Sequence, residues 1–273
     1  MRITLFLSCL LLLVFACKKE TKQTTITTEK NPMMQPVIMG FSNSMDSLSG
    51  SKLNPVLDSI RKEYPNCLIF NIHVPNKTNN TDSLATEDSE LFAQFYQVYA
   101  YKDSTNHIPY LYFGARRYLG GLEQNSIVFK SLKSSIEWAK ENYYPLIDIT
   151  GITSEIVNNE LKVNVKIKTL ENVYSISAIS VVLTEDNVKA TQVGDKTSHP
   201  NVQHNVFRKC LTDINGKKIQ NTIAKDVETT LTYTCPLDKS WNPSNLYANA
   251  IIWIDTPPYG KMIDYGRRSK VLN

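Results

Sequence analysis

Residues 67–74 read CLIFNIHV, an apolar run broken only by Asn71 and His73. A strand with one wet face alternates apolar and polar residues. Four consecutive apolar positions, Cys67 to Phe70, instead demand cover on both faces. The segment is therefore predicted to be an interior strand with helices packed on its sheet. The flanking sequence supplies them. PVIMGF (36–41) is a shorter apolar strand, and Asn54-Pro55 forms an N-cap and first-turn pair. Val56, Leu57, Ile60 and Tyr64 then recur at helical spacing. Leu91, Phe92, Phe95, Val98 and Tyr99 mark a second helix, and Val128, Leu132, Ile136 and Ala139 a third. Between these two helices, IPYLYFGARRYLGG (108–121) reads as a strand, a turn and a return strand. The order βαβαββα over residues 37–145 predicts an α/β domain.

From about residue 146 the period changes from 3.6 to 2. ELKVNVKIKTL (160–170) alternates strictly, with Leu161, Val163, Val165 and Ile167 on one face. Short strands follow at AISVVLTE, HNVFRKCL, VETTLTYTC and LYANAIIWID, punctuated by turn signals such as Asn158-Asn159 and Asn215-Gly216. Residues 146–273 are predicted to form an all-β, immunoglobulin-like sandwich. A chain of 273 residues is long enough for two cores of this size.

The element order of the first half, with HIPYLYFGARRYLGG at 107–121, resembles the thioredoxin fold. That resemblance implies a cis Ile108–Pro109 bond at the start of a core strand. A trans proline opening the strand is the other reading of the residues alone. A thioredoxin-like enzyme also needs an acidified thiol at the start of its first helix. The corresponding stretch, GFSNSMDSLSGSKLNP (40–55), contains no cysteine, so the domain is expected to lack redox chemistry.

The chain begins as an export signal. Arg2 precedes an apolar stretch, Ile3 to Ala16, that is too short to span a bilayer. Val14-Phe15-Ala16-Cys17 resembles the lipobox of bacterial lipoproteins, which implies removal of residues 1–16 and acylation of Cys17. The membrane, held through two or three acyl chains, is then the first expected partner. A plain secretory signal with an incidental cysteine is the alternative. Residues 17–36 are rich in Thr, Lys and Gln and read as a tether, able to reach on the order of 50 Å when extended.

Charge and motif content exclude several functions. A net charge of +4 without a dense basic stripe makes nucleic acid an unexpected partner. GARRY and YGRRSK are short basic spots expected to be solvated surface. The four histidines lack metal-ligand spacing on a helix, and no metal or cofactor is expected. His204 and Arg208 share one side of a short strand and are expected to pair with neighbouring polar groups. Cys67 opens a buried strand and reads as a packed small residue. Cys210 and Cys235 end two strands of an exported protein; bridged, they would close a loop of about 25 residues, worth around 3 kcal/mol. Two packed free thiols are the other reading. Asp82-Ser83-Leu84 resembles the acceptor sequence for O-glycosylation in Bacteroidota, which makes Ser83 a candidate modification site.

SVVLTEDNVKATQV, QHNVFRKCLTDINGKKI and WNPSNLYANAIIWID resemble the outer membrane protein 28-related lipoproteins of Bacteroidota. The positions that carry the likeness are Leu183, Glu185, Asp186, His204, Asn205 and Arg208. The resemblance implies a lipid-anchored outer-membrane protein without catalysis. Such a protein would act as a surface receptor or adhesin-like module toward a protein or glycan ligand. A periplasm-facing assembly or chaperone factor is the alternative.

Overall fold

The computed structural model describes residues 35–75, 82–96, 108–114, 116–118, 125–174, 177–197, 201–219, 223–255 and 261–271. The export signal, Cys17, nearly all of the tether, His107 and His199 lie outside these residues. In chain order the N-terminal elements are β1 (Val37–Ser42), α1 (Asn54–Glu63), β2 (Leu68–His73), α2 (Glu87–Phe95), β3 (Tyr110–Phe113), β4 (Arg116–Tyr118) and α3 (Asn125–Asn142). There follow β5 (Ile147–Val157), β6 (Glu160–Thr169), β7 (Ser177–Glu185), β8 (Val188–Lys189), β9 (Val202–Gln203) and β10 (Val206–Cys210). The chain closes with β11 (Lys217–Lys218), β12 (Glu228–Pro236), β13 (Leu246–Asp255) and β14 (Lys261–Lys270).

Every residue of β2 is buried, as its composition requires. On one side it pairs in parallel with β1, from Val37 opposite Leu68 to Ser42 opposite His73. Its other neighbour comes from the far half of the chain. β10 runs parallel to it, and the Asn71 N–H donates to the Asn205 carbonyl at 2.9 Å. The result is one nine-stranded mixed sheet in the order β14-β13-β7-β10-β2-β1-β3-β4, with β11 beside β7.

This arrangement corrects the expected fold class. A self-contained thioredoxin-like α/β domain followed by an immunoglobulin-like sandwich is not what forms. The described residues are mostly β, and a curled mixed sheet makes a half-barrel with only three α-helices around it. Residues Pro32–Asn273 make a single compact unit, and the boundary expected near residue 145 is crossed by the sheet itself. The cause is local to β2. An interior strand needs two partners, and its second is drawn from residues 206–210.

Three cores cover the sheet. α1 and α3 place Val56, Leu57, Ile60, Leu132 and Ile136 on one face, against Ile38, Ile69 and Leu111. α2 sits on the opposite face, where Phe92 and Tyr96 meet Phe41, Tyr112, Phe207 and Trp253. Its start is fixed by Thr86 and Ser89, whose side chains each accept the other's backbone N–H. The third core lies under a separate sheet, β12-β6-β5. Leu161, Val163, Val165 and Ile167 there face Ile179, Val181 and Leu183 of β7. β7 thus serves two cores, sending Ala178 and Val182 one way and Ile179, Val181 and Leu183 the other. The curl brings β14 close to β1 and β2. A Cβ added at Gly266 would lie 2.8 Å from Val37 Cγ2 and 2.9 Å from Leu68 Cδ2.

The disulfide reading is also corrected. Cys67, Cys210 and Cys235 are buried free thiols. Cys210 belongs to the core beneath α2 and Cys235 to the core beneath the three-stranded sheet, so the large sheet stands between them. Burial raises the thiol pKa of each, to about 12 for Cys67 and about 11 for Cys210 and Cys235. None is a reactive thiolate near neutral pH. The Ile108–Pro109 bond is cis and directly precedes β3. Ser83 is exposed in a turn between buried Asp82 and Leu84.

Candidate functional site

Glu185, Asp186, His204, Asn205 and Arg208 come together where β7 ends and β10 begins. Between these strands the chain makes a detour through the β8–β9 hairpin. In β10 the register with β7 slips between Phe207 and Lys209, so Arg208 is the extra residue of a bulge. A bulge re-aims a side chain. Here Arg208 Nε donates to Glu185 Oε2 at 2.8 Å in an almost fully buried pair. The other oxygen, Glu185 Oε1, accepts the Asn242 N–H at 2.9 Å. One residue further along, His204 Nδ1 lies 2.6 Å from Asp186 Oδ1. Burial opposes ionisation of Asp186, but the hydrogen bond and charge of His204, with Arg268 behind it, hold its carboxyl below the usual range.

Asn205 occupies the left-handed region, with φ of 54°. Asparagine tolerates that conformation better than most residues. The turn aims its side-chain oxygen at Arg268, whose Nη1 donates to it at 2.6 Å. The same guanidinium stacks on the Tyr247 ring, 3.6 Å from its centroid. Burial lowers the Arg268 pKa, while the charge of Asp186 supports the ionised form. The YGRRSK segment is therefore not a solvated spot. Arg268 is drawn into the site, and Arg267 donates to the Ile149 carbonyl.

Beside this cluster a cleft opens between α1, β2 and the hairpin segment. It offers about 30 Å³ for the centre of a water-sized molecule, room for about two waters. Its walls are rich in amides. Asn71 accepts from Ser42 Oγ at 2.7 Å and donates to Gln203 Oε1 at 3.3 Å, while Asn54 Nδ2 reaches the same oxygen at 3.5 Å. Asn54 was expected to cap α1. Instead a π-helical turn, Ser49–Leu53, runs straight into the helix and leaves the Asn54 side chain free to face the cleft.

The outer wall is carried by residues 190–197, docked onto residues 43–50. Gln192 Nε2 donates to the carbonyls of Asn43, Ser44 and Asp46 at 3.0–3.2 Å, and the Val193 N–H to Ser44 at 2.9 Å. The contact is tight. A Cβ on Gly50 would stand 2.2 Å from the Val193 carbonyl oxygen. This docking sets Asp195 and Thr197 opposite Asn54 and Arg61 across the cleft.

Several buried polar atoms along these walls have no hydrogen-bond partner among the described residues: Asn54 Oδ1, Gln203 Nε2, Arg61 Nε, Asp195 Oδ2 and Thr197 Oγ1. Sequence reasoning reached the charged rim and missed this lining. Asn54 reads as the cap of α1, Arg61 carries no sign of a role, and Gln203 stands only within the segment QHNVFRKC; Arg268, behind the cleft, reads as solvated surface. Only the chain distance they share in space, 149 residues between Asn54 and Gln203, defines the site.

Set beside known proteins, residues 136–256 match the family described as outer membrane protein Omp28. Among solved structures, HBP35 of Porphyromonas gingivalis superposes with a TM-score of 0.64 at 11% identity, over 88% of this chain and 76% of that one. A protein of Agrobacterium tumefaciens gives 0.50 at 13%, over 88% and 95%. A domain of the outer membrane lipoprotein Omp28 from Porphyromonas gingivalis gives 0.33 at 21%, over 46% and 95%. At these identities the first two likenesses are of fold. No curated protein matches the chain.

Proposed function

We propose that this chain, whose residues 136–256 match the outer membrane protein Omp28 family, is a non-catalytic binding module of that kind, held at the membrane through Cys17 and acting at the cell surface as a receptor or adhesin-like protein. One observation carries this reading. The charged residues that a catalyst would use are committed to one another, Glu185 to Arg208 and Asp186 to His204, whereas the neighbouring cleft presents buried polar atoms without partners. Paired charges hold a wall; unmet amides receive a ligand. The raised thiols agree, since none can serve as a nucleophile at neutral pH.

Protease shaving of intact cells, followed by immunoblotting against residues 146–273, tests the orientation. Loss of the signal without lysis is the expected result. Protection until the envelope is opened would instead favour a periplasm-facing assembly factor. Thiol–disulfide turnover by the purified protein would contradict the non-catalytic reading.

A further inference from the structure

We propose that the cleft between α1, β2 and the β8–β9 hairpin binds the edge of a neutral polyhydroxylated ligand, two adjacent hydroxyls of a sugar ring, through Asn54, Gln203, Thr197, Asp195 and Arg61. The assignment rests on the binding reading above and adds to it a place and a ligand class.

Chemistry selects the class. The unmet atoms alternate in kind: Gln203 Nε2 and Arg61 Nε donate, Asn54 Oδ1 and Asp195 Oδ2 accept, and Thr197 Oγ1 does either. A hydroxyl both donates and accepts, so two neighbouring hydroxyls can meet four such atoms at once. A peptide group brings one donor and one acceptor and would leave most of them unmet. Asn54 and Gln203, two of the side chains lining the cleft, are only 7% and 3% exposed, so a ligand reaches them only through the cleft.

Charge excludes ions. Asp58 is paired with Arg61 at 2.6 Å and with Lys62 at 2.8 Å. An anion entering the cleft would meet Asp58 and Asp195, and a cation would meet Arg61. Size excludes a whole buried ring. Space for about two water centres fits one ring edge, with the rest of the molecule projecting outward.

The test uses the full chain in a detergent without a sugar head group. Methyl α-glucoside, methyl α-mannoside and methyl α-galactoside are titrated to 50 mM and binding is read by ligand-observed NMR. Acetamide, inorganic phosphate and ethylammonium serve as competing probes. At least one glycoside is expected to bind, and Thr197→Val to weaken it at least threefold with the melting temperature unchanged. The Thr197 hydroxyl has no hydrogen-bond partner among the described residues, so the variant is expected to remove a ligand contact and leave the fold intact. Asn54→Leu is expected to weaken it at least tenfold. The assignment is overturned if no glycoside binds, if acetamide or an ion binds better, or if binding survives both substitutions. Surface shaving reports separately: a shaved protein that ignores glycosides keeps the receptor reading and loses this cleft, and a protected one that binds them does the reverse.

Discussion

The core beneath the three-stranded sheet and the cleft beside α1 are built from opposite materials. In the first, Leu161, Val163, Val165, Ile149 and Leu183 are fully buried apolar side chains that need no partner. In the second, Asn54, Asn71, Gln203 and Asn205 are four amides, none more than 7% exposed. An apolar side chain at such depth stabilises by about 1.5–3 kcal/mol. A buried polar atom left unmet costs about 1–3 kcal/mol. The first region is therefore explained by folding alone. The second is not, and a region that weakens the fold where apolar residues would strengthen it is where a ligand belongs.

The comparison supposes one cooperative unit with a dry end and a polar end. Phe207 tests it most severely, because it lies in β10 where the two halves of the sheet join and packs 5.1 Å from Phe92, centroid to centroid. Phe207→Ala is expected to cost about 3–5 kcal/mol in urea denaturation and to leave a single transition. Two transitions would mean two independent halves. Next is Arg208→Ala, which strands the Glu185 carboxylate at 4% exposure. A loss of about 3 kcal/mol is expected, visible in the same titration. An unchanged midpoint would show that the pair does not hold the wall.

Acid should act on the polar end first. Burial opposes ionisation of Asp82, yet its bonds to His73, 2.9 Å away, and to the N–H groups of Ser44 and Leu84 keep its pKa lowered. Asp186 is lowered likewise by His204. Stability from both is complete above the ordinary carboxylate value and is lost as pH falls through their lower folded values. Melting curves between pH 6 and pH 2 should show this decline, and Asp186→Asn should flatten it. The smallest effect is expected from Thr197→Val, within about 0.5 kcal/mol of the parent protein. A larger loss would mean that the hydroxyl serves the fold.

Parts of this molecule were legible from residue spacing. The alternation of Leu161, Val163, Val165 and Ile167 predicts a strand with one buried face, and all four line the core beneath the three-stranded sheet. Val56, Leu57 and Ile60 mark the inner face of α1, and Val128, Leu132 and Ile136 that of α3. Asn54 was legible only as a cap, because an Asn-Pro pair before a helical pattern is the usual sign of one. The π-helical turn that overrides it lies against residues 190–197, where the Lys196 N–H donates to the Gly50 carbonyl. Arg268 looked like surface because a basic tetrad carries no sign of a stacking ring 21 residues earlier.

Periodicity, then, determined which residues of each element turn inward, since that follows from backbone geometry within a few residues. It also determined that CLIFNIHV must be covered on both faces. What it left open was which strand would lie on the far side of β2. That choice depends on contacts between residues more than a hundred positions apart, and no local pattern encodes them. Tertiary structure settled it with β10, joined the two halves into one sheet, and in doing so brought Asn54, Gln203 and Asn205 to the same cleft.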